Sequence, residues 1–237
     1  AIGDIMGWRG VLLLLGILTL AAALAVGLGL RGRAGTKTAG PPSLSVLAHG
    51  YRVLFANPRT KICYTIVFFE GCCVFGVLPF VAAFLFDLGE TRLSVAGLVI
   101  AGFAAGGLIY TVSVGRLLPL LGMRGLMIGG AALVAVQLVL LGIGLSWPAQ
   151  TASFVAMGLG FYMLHGCMQV FASELSEEAR ATSLSLHACF FFLGQTAGPI
   201  AYGFGLDHVG KLTTLSISAG IVMLVGLFAA RLLVKRG

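Results

Sequence analysis

The sequence predicts an all-α integral membrane protein, and three observations carry that prediction. Of its 237 residues, 59% are hydrophobic and 10% charged, whereas soluble domains carry about 25% charged residues. The mean hydropathy is +1.05. The apolar residues fall in runs of about 20 or more, the length needed to cross a hydrocarbon core as a helix. None shows the period-two alternation of a membrane barrel strand.

Seven uncharged or nearly uncharged runs qualify as spans: 10–30, 62–86, 93–115, 125–146, 149–173, 181–206 and 212–230. Connections are short except for 31–61. Placing that linker in the cytoplasm puts Arg31, Arg33, Lys37, Arg52, Arg59, Lys61, Arg116, Arg124, Arg180, Arg231, Lys235 and Arg236 inside. Arg9, Arg92 and Lys211 are then outside, which accounts for all 15 Lys and Arg as twelve against three. The rule that inner loops are basic therefore sets the linker and C-terminus in the cytoplasm. The net charge of +7 is a topology signal and needs no nucleic-acid partner. The abundance of glycine, 35 residues, is expected where helices approach closely in lipid.

Within the linker, "RGRAGTKTAGPP" is basic and rich in Gly and Pro. The following "SLSVLAHGYRVLFANPR" spaces Leu44, Leu47, Tyr51, Leu54 and Phe55 along one helical face and stops at Asn57-Pro58. A short helix lying on the inner membrane surface is expected there. The five cysteines, Cys63, Cys72, Cys73, Cys167 and Cys189, lie in apolar runs without a CxxC pair or a metal-ligand spacing. They read as packing residues. The first apolar run is too long for a secretory leader, and lacks a basic start or a convincing cleavage site.

The turn "GRLLPLLGMR" from Gly115 to Arg124 and the segment "SELSEEARATSLSLHACFFFLGQTAGPIAYGFG" from Ser173 to Gly205 resemble the major facilitator superfamily, especially its bacterial drug-efflux-like, proton-coupled members. Gly115, Gly122 and Arg124 match in kind the family's inner-loop motif Gly-x-x-x-Asp-x-x-Gly-Arg-Arg. The acidic residue is absent, and Pro119 stands near its place. "EEAR" followed by Gly194, Gly198, Pro199 and Gly203 is similar to the family's eleventh helix, and "GWRG" at Gly7–Gly10 to the start of its sixth. The resemblance implies that 1–30 is the last helix of the N-terminal bundle and 31–61 the cytoplasmic linker. It makes 62–237 the C-terminal six-helix half of a twelve-helix bundle, built from inverted three-helix repeats. It also implies a partner in the missing N-terminal half, five helices upstream, and a home in the bacterial inner membrane. Gly115–Gly122 and Gly203–Gly210 repeat one spacing at the two repeat turns.

One carboxylate interrupts the second span. Glu70 lies eight residues from the inner end of that run, about 12 Å deep at helical rise. A charge facing lipid at that depth is costly, so Glu70 is expected to face protein or water. His165 lies at similar depth on the fifth span, and His187 on the sixth. In the family these spans correspond to helices seven, ten and eleven, at or beside the central cavity. Glu70, with His165 as partner, is thus a candidate proton-coupling site facing a wet cavity, the alternative being a structural bond to a neighbouring helix. His187 reads more plainly as packing, with Ser183 one turn earlier as hydrogen-bond partner, and is carried as a cavity candidate. Gly158, Tyr162, His165 and Gln169 form one stripe at helical spacing, either lining a substrate cavity or bonding between helices. Gln195 is a further cavity candidate; Gln137 reads as packing. Phe68, Phe69, Phe75, Phe80, Phe190, Phe191 and Phe192 could wall a greasy cavity or face lipid. Pro79 and Pro199 are candidate flex points or static kinks.

The predicted function is secondary active transport of a small molecule by alternating access, driven by protons, with efflux favoured. No Lys or Arg lies deep in these spans to pair an anion, which points to apolar neutral or cationic cargo. The alternatives are an uptake symporter for a metabolite or sugar, and a non-transporting receptor or assembly protein. An intramembrane enzyme would need clustered catalytic or metal-binding residues, which the sequence lacks. No nucleotide-binding loop appears, so no cofactor is expected.

Overall fold

The computed structural model describes residues 2–29 and 44–233. It divides into two units, Ala1–Val46 and Leu47–Gly237. The basic residues Arg31, Arg33, Lys37, Lys235 and Arg236 lie outside the described residues, as does most of the linker. Among the described residues, every regular element is helical.

The first unit contains α1, Ile2–Gly29, which bends at Gly7 (φ 66, ψ 170). Its apolar stretch Met6–Gly29 is 24 residues long, about 36 Å at helical rise and enough to cross a bilayer. Thr19 donates its hydroxyl to the Leu15 carbonyl at 2.8 Å, so its one hydroxyl is satisfied within the helix, as a lipid setting requires. The Arg9 guanidinium stands 4.9 Å over the Trp8 ring, a pair suited to the membrane–water boundary.

Most of α2, Leu44–Ala56, falls in the second unit. The expected short helix is present, but its docking face is rotated from the one the spacing suggested. Gly50 and Leu54 are buried, whereas Tyr51 and Phe55 are 43% and 45% exposed. The side chains of Leu44 and Leu47 lie outside the described residues. A Cβ on Gly50 would touch Ala179 and Thr182, and small residues on both partners set that face. Asn57 then caps α3, Pro58–Phe75, accepting from the Arg59 amide, with Pro58 preset for the first turn.

A 3₁₀ turn at Leu78–Phe80 separates α3 from α4, Val81–Phe86. Pro79 sits in this turn, so the candidate flex point is a break in the helix. Pro199 interrupts nothing: α7, Arg180–Val209, runs through it. The helix α5, Leu93–Ile143, has 51 residues, about 76 Å if straight and more than two bilayer cores. It is two helices joined at Gly122, whose φ 63 and ψ 173 fall where only glycine is comfortable. α6, Trp147–Glu174, and α8, Lys211–Leu232, complete the unit. Six helices among the described residues are long and apolar enough to cross a membrane. With α5 counted as two, the seven expected spans are all present.

Gly7, Gly122 and Gly210 share one backbone conformation, Gly210 having φ 81 and ψ 169. The equal spacings Gly115–Gly122 and Gly203–Gly210 thus both end at a glycine pivot that starts the next helix. Gly115 itself is exposed, with open space around it, and Arg124 follows the first pivot half-buried.

Asn57 Nδ2 donates to Leu175 O at 3.2 Å and Arg180 Nε to Ser173 O at 3.1 Å. The starts of α3 and α7 and the end of α6 therefore share one end of the unit, with Arg59, Lys61 and Arg180. The opposite end carries the Asp87–Arg92 turn and Lys211, whose ammonium lies 5.1 Å from the Phe84 ring. Between the ends, α3 and α7 cross backbone to backbone. A Cβ on Gly194 would strike the Phe68 carbonyl, and one on Gly198 would strike Cys72 and Gly76. The expectation that Gln137 packs holds, with a polar addition: Ser153 donates to it at 2.6 Å.

Two outcomes follow from this packing. Gly194→Ala is expected to lower stability by about 1–3 kcal/mol. Gly203→Ala, whose added Cβ would meet only Phe80 at 3.8 Å, should change it by less than about 0.5 kcal/mol. Thermal unfolding in detergent compares the two. In the turn, Arg92 donates to both Glu90 oxygens at 2.7 and 2.6 Å and its amide to Oε1 at 3.0 Å. These bonds hold the Glu90 carboxyl down at about 2 from an ordinary 4.5. The stabilisation is complete above the ordinary value and is lost as pH falls through the lowered one. Protection of the Arg92 amide from hydrogen exchange, relative to the intrinsic rate at each pH, should therefore hold at pH 4 and fall towards pH 2.

Candidate functional site: a buried carboxylate and two histidines

Three helices converge on Glu70. It projects from α3 beside Gly71, at the close crossing with α7, and is 0% exposed. From α6, His165 Nδ1 meets Glu70 Oε2 at 3.0 Å. From α7, the His187 ring lies 5.1 Å from that of His165, centroid to centroid. His165 and His187 are 8% and 3% exposed. The expected pair is thus a cluster of three.

The sequence places His165 one helical turn from Phe161, and the two rings stack at 4.8 Å with 20° between planes. Phe191, one turn beyond His187, covers His165 at 4.7 Å. The imidazole is therefore held edge-on to the carboxylate. With the carboxylate ionised, Nδ1–H donates to Oε2; with the carboxyl protonated, O–H donates to Nδ1. One proton serves either form, and moving it converts an ion pair into a neutral pair without displacing a heavy atom. A lone buried ion at this place would be far less tolerable than the pair. Glu70 Oε1 and His187 Nε2 are buried with no hydrogen-bond partner among the described residues.

Polarity around the cluster is lopsided. Towards the basic end, the Tyr64 hydroxyl lies 3.0 Å from Ser183 Oγ and donates to the Ser183 carbonyl at 3.1 Å. Ser183 in turn donates to Ala172 O at 2.5 Å. Towards the opposite end, Phe75 packs edge-on against Phe103, Phe161 and Phe191 at 5.3–5.5 Å between centroids.

Several expectations need correction. Glu70 presents no surface to an open wet cavity in this conformation, being 0% exposed beside the α3–α7 crossing. Nor does His187 line an open wall; it belongs to the cluster, while Ser183 bonds Tyr64 and Ala172. The α6 stripe divides. Gly158 packs on the Phe103 backbone and His165 turns inward, whereas Tyr162 is 38% exposed and Gln169 is exposed. Tyr162 stacks with Tyr110, ring centroids 6.5 Å apart. Gln195 is half-buried beside the glycine crossing, near Gly71. Of the phenylalanines, Phe75 and Phe191 turn inward, while Phe69 and Phe192 face outward.

Sequence reading overlooked Tyr64, Phe103 and Phe161 as members of this region. Phe161 had a signal, its four-residue spacing from His165. Phe103 had none, because only the crossing of α5 over α6 brings it in. A separate cavity of about 240 Å³ lies between α3, α7 and α8, walled by Phe69, Cys72, Tyr202, Thr214 and Ser218 among others. Its lining carries no Asp, Glu, His, Lys or Arg side chain, and Phe69 is the one lining residue that the sequence had offered as a cavity wall.

Residues 1–199 match the family model described as Major Facilitator Superfamily. No curated protein matches the chain.

The pairing predicts a double-mutant cycle. His165→Leu should cost about 3–5 kcal/mol of stability, because it strands a buried carboxylate. Combining Glu70→Leu with His165→Leu should recover most of that loss. Unfolding of the four proteins in one detergent measures the cycle.

Proposed function

The chain belongs to the major facilitator superfamily, and from that premise we propose proton-coupled export of an apolar, neutral or cationic small molecule, with Glu70 and His165 as its proton site. As a family member, the protein is an integral membrane secondary transporter of small molecules. The observation that carries the finer reading is the 3.0 Å contact between His165 Nδ1 and a Glu70 carboxylate with no exposed surface.

The pair is neutral with one proton and cationic with two. A site whose charge changes by one unit on protonation, inside a low-dielectric bundle, interacts differently with each arrangement of the helices around it. That difference is what couples a proton to a conformational change. Tyr162 and Gln169, on the exposed face of α6 beside His165, are the residues proposed to meet cargo. The sequence places no Lys or Arg deep within these spans to bind an anion, which supports the cargo class. Gly194, Gly198 and the pivot at Gly122 let helices slide and turn while the pair reloads.

In the proposed arrangement 1–30 is the last helix of an N-terminal bundle, 31–61 a cytoplasmic linker and 62–237 the C-terminal bundle. The N-terminal bundle supplies the other wall of the pathway. The basic end of the second unit faces the cytoplasm of a bacterial inner membrane.

Full-length protein in sealed vesicles, offered a lipophilic cationic dye under a proton gradient, tests the reading. Glu70→Gln should lower gradient-driven dye accumulation at least about tenfold and leave dye exchange at equal pH within about twofold. Full accumulation in Glu70→Gln would remove Glu70 from coupling.

A further inference from the structure

We propose that His187 is the port through which the Glu70–His165 pair exchanges its proton with the basic end of the bundle. The inference rests on the reading of that pair as a proton site, and assigns a route and a direction to it.

The first support is the pairing of two unsatisfied atoms. Glu70 Oε1 and His187 Nε2 are both buried without a partner among the described residues. An unmade bond at a buried polar atom is costly, and a purely structural clamp has no reason to carry two. An imidazole can take a proton on one nitrogen and release it from the other, so an open Nε2 is a usable docking point. The His187 ring stands 5.1 Å from that of His165 at 58°, so one rotation of either ring, or one bridging water, completes a path.

The second support is order along the bundle axis. From Arg180, α7 presents Ser183, His187 and Phe191 at successive turns. Ser183 joins the Tyr64 hydroxyl and the Ala172 carbonyl, a hydrogen-bonded stretch on the basic side. Phe191 joins Phe75, Phe103 and Phe161 in a layer of rings, whose side chains offer no site for a proton. Among the described residues, the hydrogen-bonded side chains of Tyr64 and Ser183 thus flank the cluster on its basic side and the rings flank it on the other. The other titratable groups around the cluster are Cys63 and Tyr64 on α3 and Cys167 on α6, the two thiols lying within the field of Glu70. None of the three links the cluster to the layer of rings.

The test needs no known cargo. In full-length protein in lipid, infrared spectroscopy follows the Glu70 carboxyl band, identified by its loss in Glu70→Gln. Its downshift after transfer to heavy water times proton exchange. His187→Gln keeps the size of the side chain but removes its proton-carrying nitrogen. It should slow the downshift at least about tenfold, with the titration midpoint of the band and the thermal unfolding unchanged. An exchange as fast as wild type in His187→Gln overturns the port. If no Glu70 band titrates in wild type, the proton-site reading itself falls, which is a separate outcome. Should His187→Gln fail to fold, sidedness in wild type decides. With the protein uniformly oriented in sealed vesicles, heavy water on the basic side should shift the band first. Equal or faster labelling from the other side refutes the port.

Discussion

The backbone-to-backbone crossing of α3 and α7 is the constraint on which the rest depends. Gly71, Gly76, Gly194 and Gly198 remove every Cβ that would hold the two helices apart, and lipid supplies no hydrophobic force to press them together. Contact at this distance must come from shape. It brings Ser183, His187 and Phe191 of one helix against Tyr64, Glu70 and Phe75 of the other. A bulkier pair of helices would open a gap beside the carboxylate, and the pair with His165 would then compete with solvent.

The fold was largely legible. Hydropathy marks each span because lipid demands it over about 20 residues at a time. The pivot at Gly122 was legible only as a charged turn; its conformation, shared with Gly7 and Gly210, is a property of backbone angles that no side chain announces. For α2 the spacing located the helix but misjudged its face. Leu54 and Tyr51 look alike to a periodicity argument, and the choice between them was made by Gly50, whose missing side chain lets α2 settle beside Ala179.

The candidate site was legible in part, for a related reason. A single carboxylate in an apolar run is conspicuous, and His165 lay at matching depth. Depth follows from counting residues, whereas rotation about the helix axis depends on packing partners. Tyr162 and Gln169 stand on an exposed face while His165, on the same stripe, turns inward, and only about 40–60° about the helix axis separates the two outcomes. His187 read as packing because Ser183, one helical turn earlier, offered an obvious bond. The structure directs that hydroxyl to Tyr64 and Ala172 instead, leaving the imidazole to the cluster.

The layer formed by Phe75, Phe103, Phe161 and Phe191 has an electrical consequence. Where a bundle is polar or wet on one side of a site and dry on the other, the membrane voltage falls mainly across the dry part. A unit charge crossing the full potential gains or loses about 2.3 kcal/mol per 100 mV. On the proposed route, a proton arriving at His165 from the basic end would pass through little of that drop. Most of the electrical work would then be done if the rings parted and the proton crossed the place they occupied. The four phenylalanines would then act as the insulator of the machine, and their separation as its voltage-sensitive step.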